Sequence, residues 1–191
     1  MEFIDGSLYH IYNRGNNKQA IFFNRNNYLY FLEKIKKYIS PHCNILAWIL
    51  MPNHFHFLIR ANVATCKLVK HTPIPINALT EGVRLLLSSY AKAIQKQESL
   101  TGSLFQQKTK SKCVDDYGLI AFHYIHQNAY KAKFVKRIED WEFSSFHEYL
   151  TNGASGLCTK NLTYELLEIN PETILKDSYS MIDEELENKI F

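Results

Sequence analysis

Trp48-Ile49-Leu50-Met51-Pro52-Asn53-His54-Phe55-His56-Phe57-Leu58-Ile59-Arg60 is the stretch that decides how this chain is read. Asn44 to Leu50 and Asn53 to Arg60 are two strand-like runs separated by Met51-Pro52, which predicts an antiparallel pair. Side chains alternate across a strand, so His54 and His56 leave one face while Phe55, Phe57 and Ile59 leave the other. The apolar three are expected to pack against helices. The two imidazoles then stand roughly 6 to 7 Å apart, within reach of one divalent ion. An isolated H-x-H pair is commonly two ordinary strand histidines, so its meaning depends on what the rest of the chain brings to that face.

Working outward, Leu8 to Arg14 alternates as a first strand, and Asn13-Arg14-Gly15-Asn16-Asn17 follows as a turn. Tyr28, Phe31, Leu32, Ile35, Tyr38 and Ile39 share one face of a helix, with Asn26 or Asn27 as its cap and Pro41 beyond its end. Residues 61 to 78, including Thr72-Pro73-Ile74-Pro75, read as a long loop. Val83, Leu86, Leu87, Tyr90 and Ile94 mark a second amphipathic helix, and Ser103 to Ser111 a fourth strand. The order strand, helix, strand, strand, helix, strand predicts an α+β fold, a ferredoxin-like or RRM-like antiparallel sheet with packed helices and an added helix after it.

That added helix is Ala121-Phe122-His123-Tyr124-Ile125-His126-Gln127-Asn128-Ala129-Tyr130-Lys131, preceded by the candidate cap Asp115-Asp116. Tyr124, Asn128 and Lys131 fall at i, i+4 and i+7 and share a face. If that face meets the histidine pair, the set suits phosphodiester chemistry: Tyr124 as nucleophile, with Asn128 joining His54 and His56 as a third metal ligand. Taken alone, a helical Tyr-x-x-x-Asn usually serves packing and surface.

Together the segments resemble the single-tyrosine HUH transposases, above all the REP-associated tyrosine transposases. Tyr9-His10-Ile11-Tyr12-Asn13-Arg14-Gly15, Leu50-Met51-Pro52-Asn53-His54-Phe55-His56, Gly102-Ser103-Leu104-Phe105-Gln106, Tyr124-Ile125-His126-Gln127-Asn128 and Trp141-Glu142-Phe143-Ser144-Ser145 look like family blocks in family order, covering roughly residues 7 to 150. Some relatives carry glutamine as the third ligand, so Gln127 stands beside Asn128 as an alternative. The resemblance implies cleavage and rejoining of hairpin-associated single-stranded DNA with Mg²⁺ or Mn²⁺. Tyr124 would displace a 3′-hydroxyl and stay joined to the 5′-phosphate. Simple family transposases often work as dimers that exchange tyrosine helices, whereas REP-associated relatives with a longer tail can be monomers; a monomer is favoured here. The rival reading is an inactive binding module that holds single strands on an aromatic RRM-like sheet. A histidine phosphoesterase built on paired His-x-Thr or His-x-Ser motifs ranks below both, because the chain has no such pair.

Composition agrees with a folded, nucleic-acid-facing protein. At 191 residues and 46% hydrophobic content there is enough for one domain, expected over residues 1–150, with an appendage over 151–191. No apolar run approaches the ~20 residues of a membrane span, and Met1-Glu2-Phe3-Ile4-Asp5 lacks a signal peptide's basic start, so the expected compartment is the cytoplasm. Cys43, Cys66, Cys113 and Cys158 are scattered and read as reduced thiols. Net charge is only +3, but residues 1–159 carry +8 and residues 160–191 carry −5. A basic body with an acidic tail suits nucleic-acid binding with an attached modulator, or a tail that is simply solvated. Arg14, Lys108, Lys110, Lys112 and Lys131 are the expected phosphate contacts, although alternating lysines on an edge strand also discourage aggregation. From Asn152-Gly153-Ala154-Ser155-Gly156 onward a linker leads into a partly helical appendage.

Overall fold

A computed structural model describes residues 1–69, 75–151, 156–180 and 184–190. Its centre is a four-stranded antiparallel sheet built from β1 (Leu8–Arg14), β2 (Asn44–Met51), β3 (His54–Arg60) and a last strand, β6 (Lys110–Cys113), in the order β2-β3-β1-β6. With the strands ranked by sequence this is the ferredoxin-like order. The tight link Pro52-Asn53 holds β2 and β3 together, Met51 facing His54 and Trp48 facing Phe57 across the ladder. One irregularity between Ile45 and Ala47 is a β-bulge, which lets Leu46 and Ala47 serve the same core.

Both faces of the sheet are covered. On one, Phe55, Phe57 and Ile59 pack with Tyr9, Ile11 and Trp48 against α1 (Arg25–Tyr38) and α3 (Ala78–Glu98), which supply Phe31, Ile35, Leu79, Val83, Leu86 and Tyr90. On the other, Leu8, Ala47, Ile49, Met51 and Leu58 pack against Ala121, Phe122, Ile125 and Ala129 of α4 (Gly118–Lys131). Alternation along β3 thus serves two cores at once, and it leaves the polar positions of the second face, His10, Tyr12, Arg14, His54 and His56, at one end of the sheet beside α4.

Three sequence expectations need correction. The cap of α1 is Asn24: its side chain accepts from the Asn27 backbone while the Asn27 side chain accepts from the Asn24 backbone, so Asn27 closes a capping box from inside the helix and Asn26 lies within the first turn. The stretch 61–78 is not one irregular loop. It holds α2 (Val63–Cys66), capped by Asn62, and a two-stranded ribbon of β4 (Leu68–Val69) and β5 (Ile76–Asn77); residues 70–74 lie outside the described residues. The fourth strand begins at Lys110 rather than Ser103, because the Leu104 and Gln106 segment bonds to Asn16 and Arg14 only through isolated contacts before regular pairing begins.

A fourth expectation also fails: Asp115-Asp116 does not cap α4, whose N-cap position is Tyr117 without a side-chain cap bond. Asp115 sits instead in the preceding 3-10 turn, where its carboxylate accepts from the Leu8 backbone and ties the entry of the helix to β1. The helix follows at close range because of Gly118, whose added Cβ would stand 2.6 Å from Leu8 and 2.8 Å from Leu167. After α4 come α5 (Phe146–Leu150), α6 (Lys160–Leu167), α7 (Ile174–Asp177) and α8 (Glu184–Asn188). Of the expected linker, residues 152–155 lie outside the described residues. Beyond it, Leu167, Ile169, Ile174 and Ile190 are buried in the same core as α4.

Candidate active site

The end of the sheet next to α4 opens into a cleft of about 600 Å³ lined by β1, β3, α4 and the approach to β6. Tyr124, His54, His56 and Asn128 all line it. The His54 and His56 rings project from the same face, 5.0 Å apart between centroids and nearly perpendicular. Tyr124 stands edge-on to His56 with centroids 6.0 Å apart. Asn128, one turn further along α4, brings its amide oxygen 3.1 Å from His54 Nε2.

Hydrogen bonding decides which nitrogens carry lone pairs. His54 Nδ1 lies 2.6 Å from the Asn53 side-chain oxygen, so that nitrogen donates and a neutral ring keeps its lone pair on Nε2. Nε2 therefore meets the Asn128 oxygen as acceptor against acceptor, a contact relieved by turning the amide over or by a cation between the two. His56 lies with His10, a residue the spacing of the motifs did not single out, at 2.8 Å between His56 Nδ1 and His10 Nε2. His10 is wholly buried, its Nδ1 donating to the backbone oxygen of Ile190 at 2.7 Å.

Burial holds all of these rings neutral. Desolvation lowers His54 and drives His56 well below the ordinary histidine value, and the positive charge of Arg14 pushes both the same way. His10 is lowered to about 4, again chiefly by desolvation. Neutral imidazole is the form that ligates metal. Tyr124 moves oppositely: burial raises its phenol to about 12, against a smaller lowering by its bond to Asn128. At neutral pH it is a protonated phenol.

Arg14, Lys108 and Lys110 line the rim, and Arg14 Nε is buried without a hydrogen-bond partner among the described residues. Tyr12 lies between the histidines and Lys110, stacked on His10 with its ring 5.8 Å from the lysine ammonium. Lys112 pairs across from His10 one step further along β6 and does not line the cleft. Lys131 is bonded to Glu187 of α8, with its ammonium 5.8 Å from the Tyr124 ring centroid. Gln127 turns away and donates to the Ser178 and Ser180 carbonyls, so Asn128 and not Gln127 is the amide at the histidines. Of the neighbouring tyrosines, Tyr117 precedes the helix and Tyr130 is exposed against Tyr179; neither lines the cleft.

The sequence signal for His10, Tyr12 and Asn53 was present but needed the strand pairing. His10, Tyr12 and Arg14 alternate on β1 as His54 and His56 do on β3, and the register sets Tyr12 opposite His56 and Arg14 opposite His54. Asn13 lies on the other side of that alternation, yet it reaches the cleft because its side chain bonds to Thr109 and the Gln106 carbonyl where regular pairing has ended. Among the described residues no three His, Cys, Asp or Glu side chains group as metal ligands, so an ion here would depend on an amide oxygen besides the two histidines. No described helix is long and apolar enough to cross a membrane.

No protein-family model matches the sequence, and neither does any curated protein. Among solved structures, a REP-associated tyrosine transposase bound to a REP hairpin superimposes with a TM-score of 0.61 at 18% identity, over 82% of this chain and 87% of that one. A bacterial tRNA(His) guanylyltransferase-like protein in complex with GTP aligns more loosely, with a TM-score of 0.45 at 11% identity over 69% and 66% of the two chains. The first likeness shows that this chain has the fold of that transposase.

Proposed function

We propose that this protein is a metal-dependent single-strand DNA transposase or endonuclease that cuts and rejoins hairpin-associated DNA through a 5′-phosphotyrosine intermediate. The observation that carries the reading is the convergence of Tyr124, His54, His56 and Asn128 in one cleft rimmed by Arg14, Lys108 and Lys110. Sharing the fold of a transposase solved on a REP hairpin supports a hairpin as the DNA partner.

The donor set of two imidazole nitrogens and an amide oxygen suits Mn²⁺, and suits Mg²⁺ less well because that ion favours oxygen. His54 and His56 offer Nε2, and Asn128 offers Oδ1. A divalent ion held there supplies Lewis-acid stabilisation of the charge that develops on the scissile phosphate. The chain's own groups do the rest. Arg14, with an unsatisfied buried Nε, pairs with a phosphate oxygen, and Lys108 and Lys110 guide the strand along the rim. Tyr124 gives its proton to solvent water as its oxygen bonds to phosphorus; the P–O bond to the 3′-oxygen breaks, that oxygen takes up a proton from solvent, and the new phosphotyrosine ester conserves the energy of the broken linkage for rejoining. Helix α4 is fixed at its start by Gly118 and Asp115, which limits how far the phenol can wander from the histidines.

The covered sheet argues against an RRM-like stacking platform, since Tyr9, Phe55 and Phe57 are inside the core under α1 and α3 and only Tyr12 lines the cleft. The enzyme is proposed to act as a cytoplasmic monomer. Incubating the full chain with a labelled hairpin oligonucleotide and Mn²⁺ tests the reading: a denaturation-resistant protein–DNA adduct, lost on chelation, supports it, and hairpin binding with no adduct on any single-stranded substrate overturns catalysis in favour of a binding module.

A further inference from the structure

His10 has no part in the chemistry above, yet it is the most enclosed polar residue beside it. Its ring lies edge to edge with His56 in nearly the same plane, with centroids 5.0 Å apart, and stacks on Tyr12 with centroids 4.8 Å apart. Packing alone would be served by an apolar ring, because a buried imidazole is costly unless its nitrogens are used. Both are used. A carbonyl oxygen can only accept, so the 2.7 Å contact with Ile190 places the His10 proton on Nδ1. A neutral ring then has its acceptor at Nε2, and the 2.8 Å contact with His56 requires His56 Nδ1 to be the donor. That leaves Nε2 as the basic nitrogen of His56.

The same polarity arises at His54 by a shorter route, where the adjacent Asn53 oxygen takes the Nδ1 proton at 2.6 Å. Two histidines of one strand thus have the same tautomer imposed by unrelated partners. One partner is the preceding residue in sequence; the other is a relay through β1 to the backbone at Ile190, 180 residues from His10. A metal-bound histidine ordinarily gives its second N–H to an oxygen or other acceptor, which fixes the ring and raises the basicity of the ligating nitrogen.

We propose that His10 is a positioning residue that locks His56 as its Nδ1–H tautomer, so that Nε2 is the nitrogen offered to a divalent metal, and that the Ile190 carbonyl polarises the relay. The inference rests on the metal-site reading above and adds to it the group that sets the second histidine. It also makes the 184–190 segment part of the site's assembly: Ile190 is fully buried in the core under α4, where its carbonyl is held against His10.

Two readouts on the full chain test it. Long-range proton–nitrogen NMR of labelled imidazoles, without metal, reads the His56 tautomer directly, and calorimetry with Mn²⁺ alone reads affinity. The informative variants are His10→Phe, which keeps the stacked ring but loses both nitrogens, and His10→Gln, whose amide can accept from His56 and donate to Ile190. The wild type is expected to show His56 protonated on Nδ1. His10→Phe is expected to mix the tautomers and weaken Mn²⁺ binding about 10- to 100-fold, with His10→Gln restoring most of the loss. A wild-type His56 protonated on Nε2 overturns the inference whether or not any variant folds. So does a folded His10→Phe that binds Mn²⁺ as tightly as the wild type. A wild type that binds no Mn²⁺ overturns the metal-site reading instead, and the tautomer spectrum still decides the relay.

Discussion

His54 and Asn128, 74 residues apart in sequence, meet at 3.1 Å, nitrogen against amide oxygen, where β3 passes under α4. The contact joins the two motifs of the chain, and because Asn128 is one helical turn from Tyr124 it also sets the distance between the candidate nucleophile and the candidate metal ligands.

Removing either histidine tests the proposed metal site. His54→Ala and His56→Ala are expected to lose calorimetric Mn²⁺ binding and all cleavage while keeping most of the affinity for hairpin DNA, since the cationic rim is untouched. Mn²⁺ binding unchanged in both variants would contradict the assignment.

DNA binding should be strongly salt-dependent and should favour a hairpin with single-stranded flanks over unbroken duplex. Arg14→Ala is expected to lower the slope of log affinity against log salt by about one, because one phosphate contact is lost. Titrations at several salt concentrations on hairpin, linear single-stranded and duplex oligonucleotides check both points; equal affinity for all three would count against the preference.

Stability should fall on mild acidification. Burial depresses His10, His56 and His126, so between the unfolded value near 6.5 and the folded value the unfolded chain binds more protons than the native one. The stabilisation is complete above about pH 6.5 and is lost as the pH falls toward the folded value; for His10, lowered to about 4, it amounts to about 3 kcal/mol. Denaturant midpoints measured from pH 7.5 to 4.5 should drop steadily, and His10→Gln should make the drop shallower. A flat profile would mean that these rings are not held neutral.

Gly118→Ala tests how tightly α4 is set. The new methyl group would meet only the Cδ ends of Leu8 and Leu167, which must turn aside, so the cost is at the low end of overpacking, about 1 kcal/mol. A lowered denaturant midpoint is expected, with cleavage falling further than hairpin binding because the start of the tyrosine helix is displaced. No change in either would show that the helix has room to adjust.

The strands and long helices were legible because period and punctuation agreed: β3 alternates into two cores, and α1 and α3 carry clear apolar stripes. The capping box at Asn24 was hidden by three asparagines within four residues, any of which caps well. The ribbon of β4 and β5 was illegible since two-residue strands have no period to detect. Of the residues that line the cleft, His54, His56, Tyr124 and Asn128 could be picked out from their spacing within one element. His10, Tyr12 and Asn53 could not, because their roles depend on strand register and on a carbonyl at the far end of the chain. Lys131 matched the helical spacing but lies paired with Glu187, a long-range contact that spacing cannot reveal.

The central claim is tested most directly by covalent capture with Tyr124 weighed against its neighbours. With a labelled hairpin substrate and Mn²⁺, the wild type, Tyr117→Phe and Tyr130→Phe are expected to give a denaturation-resistant adduct that chelator abolishes, whereas Tyr124→Phe binds the hairpin and gives none. An adduct that persists in Tyr124→Phe would contradict the assignment of the nucleophile.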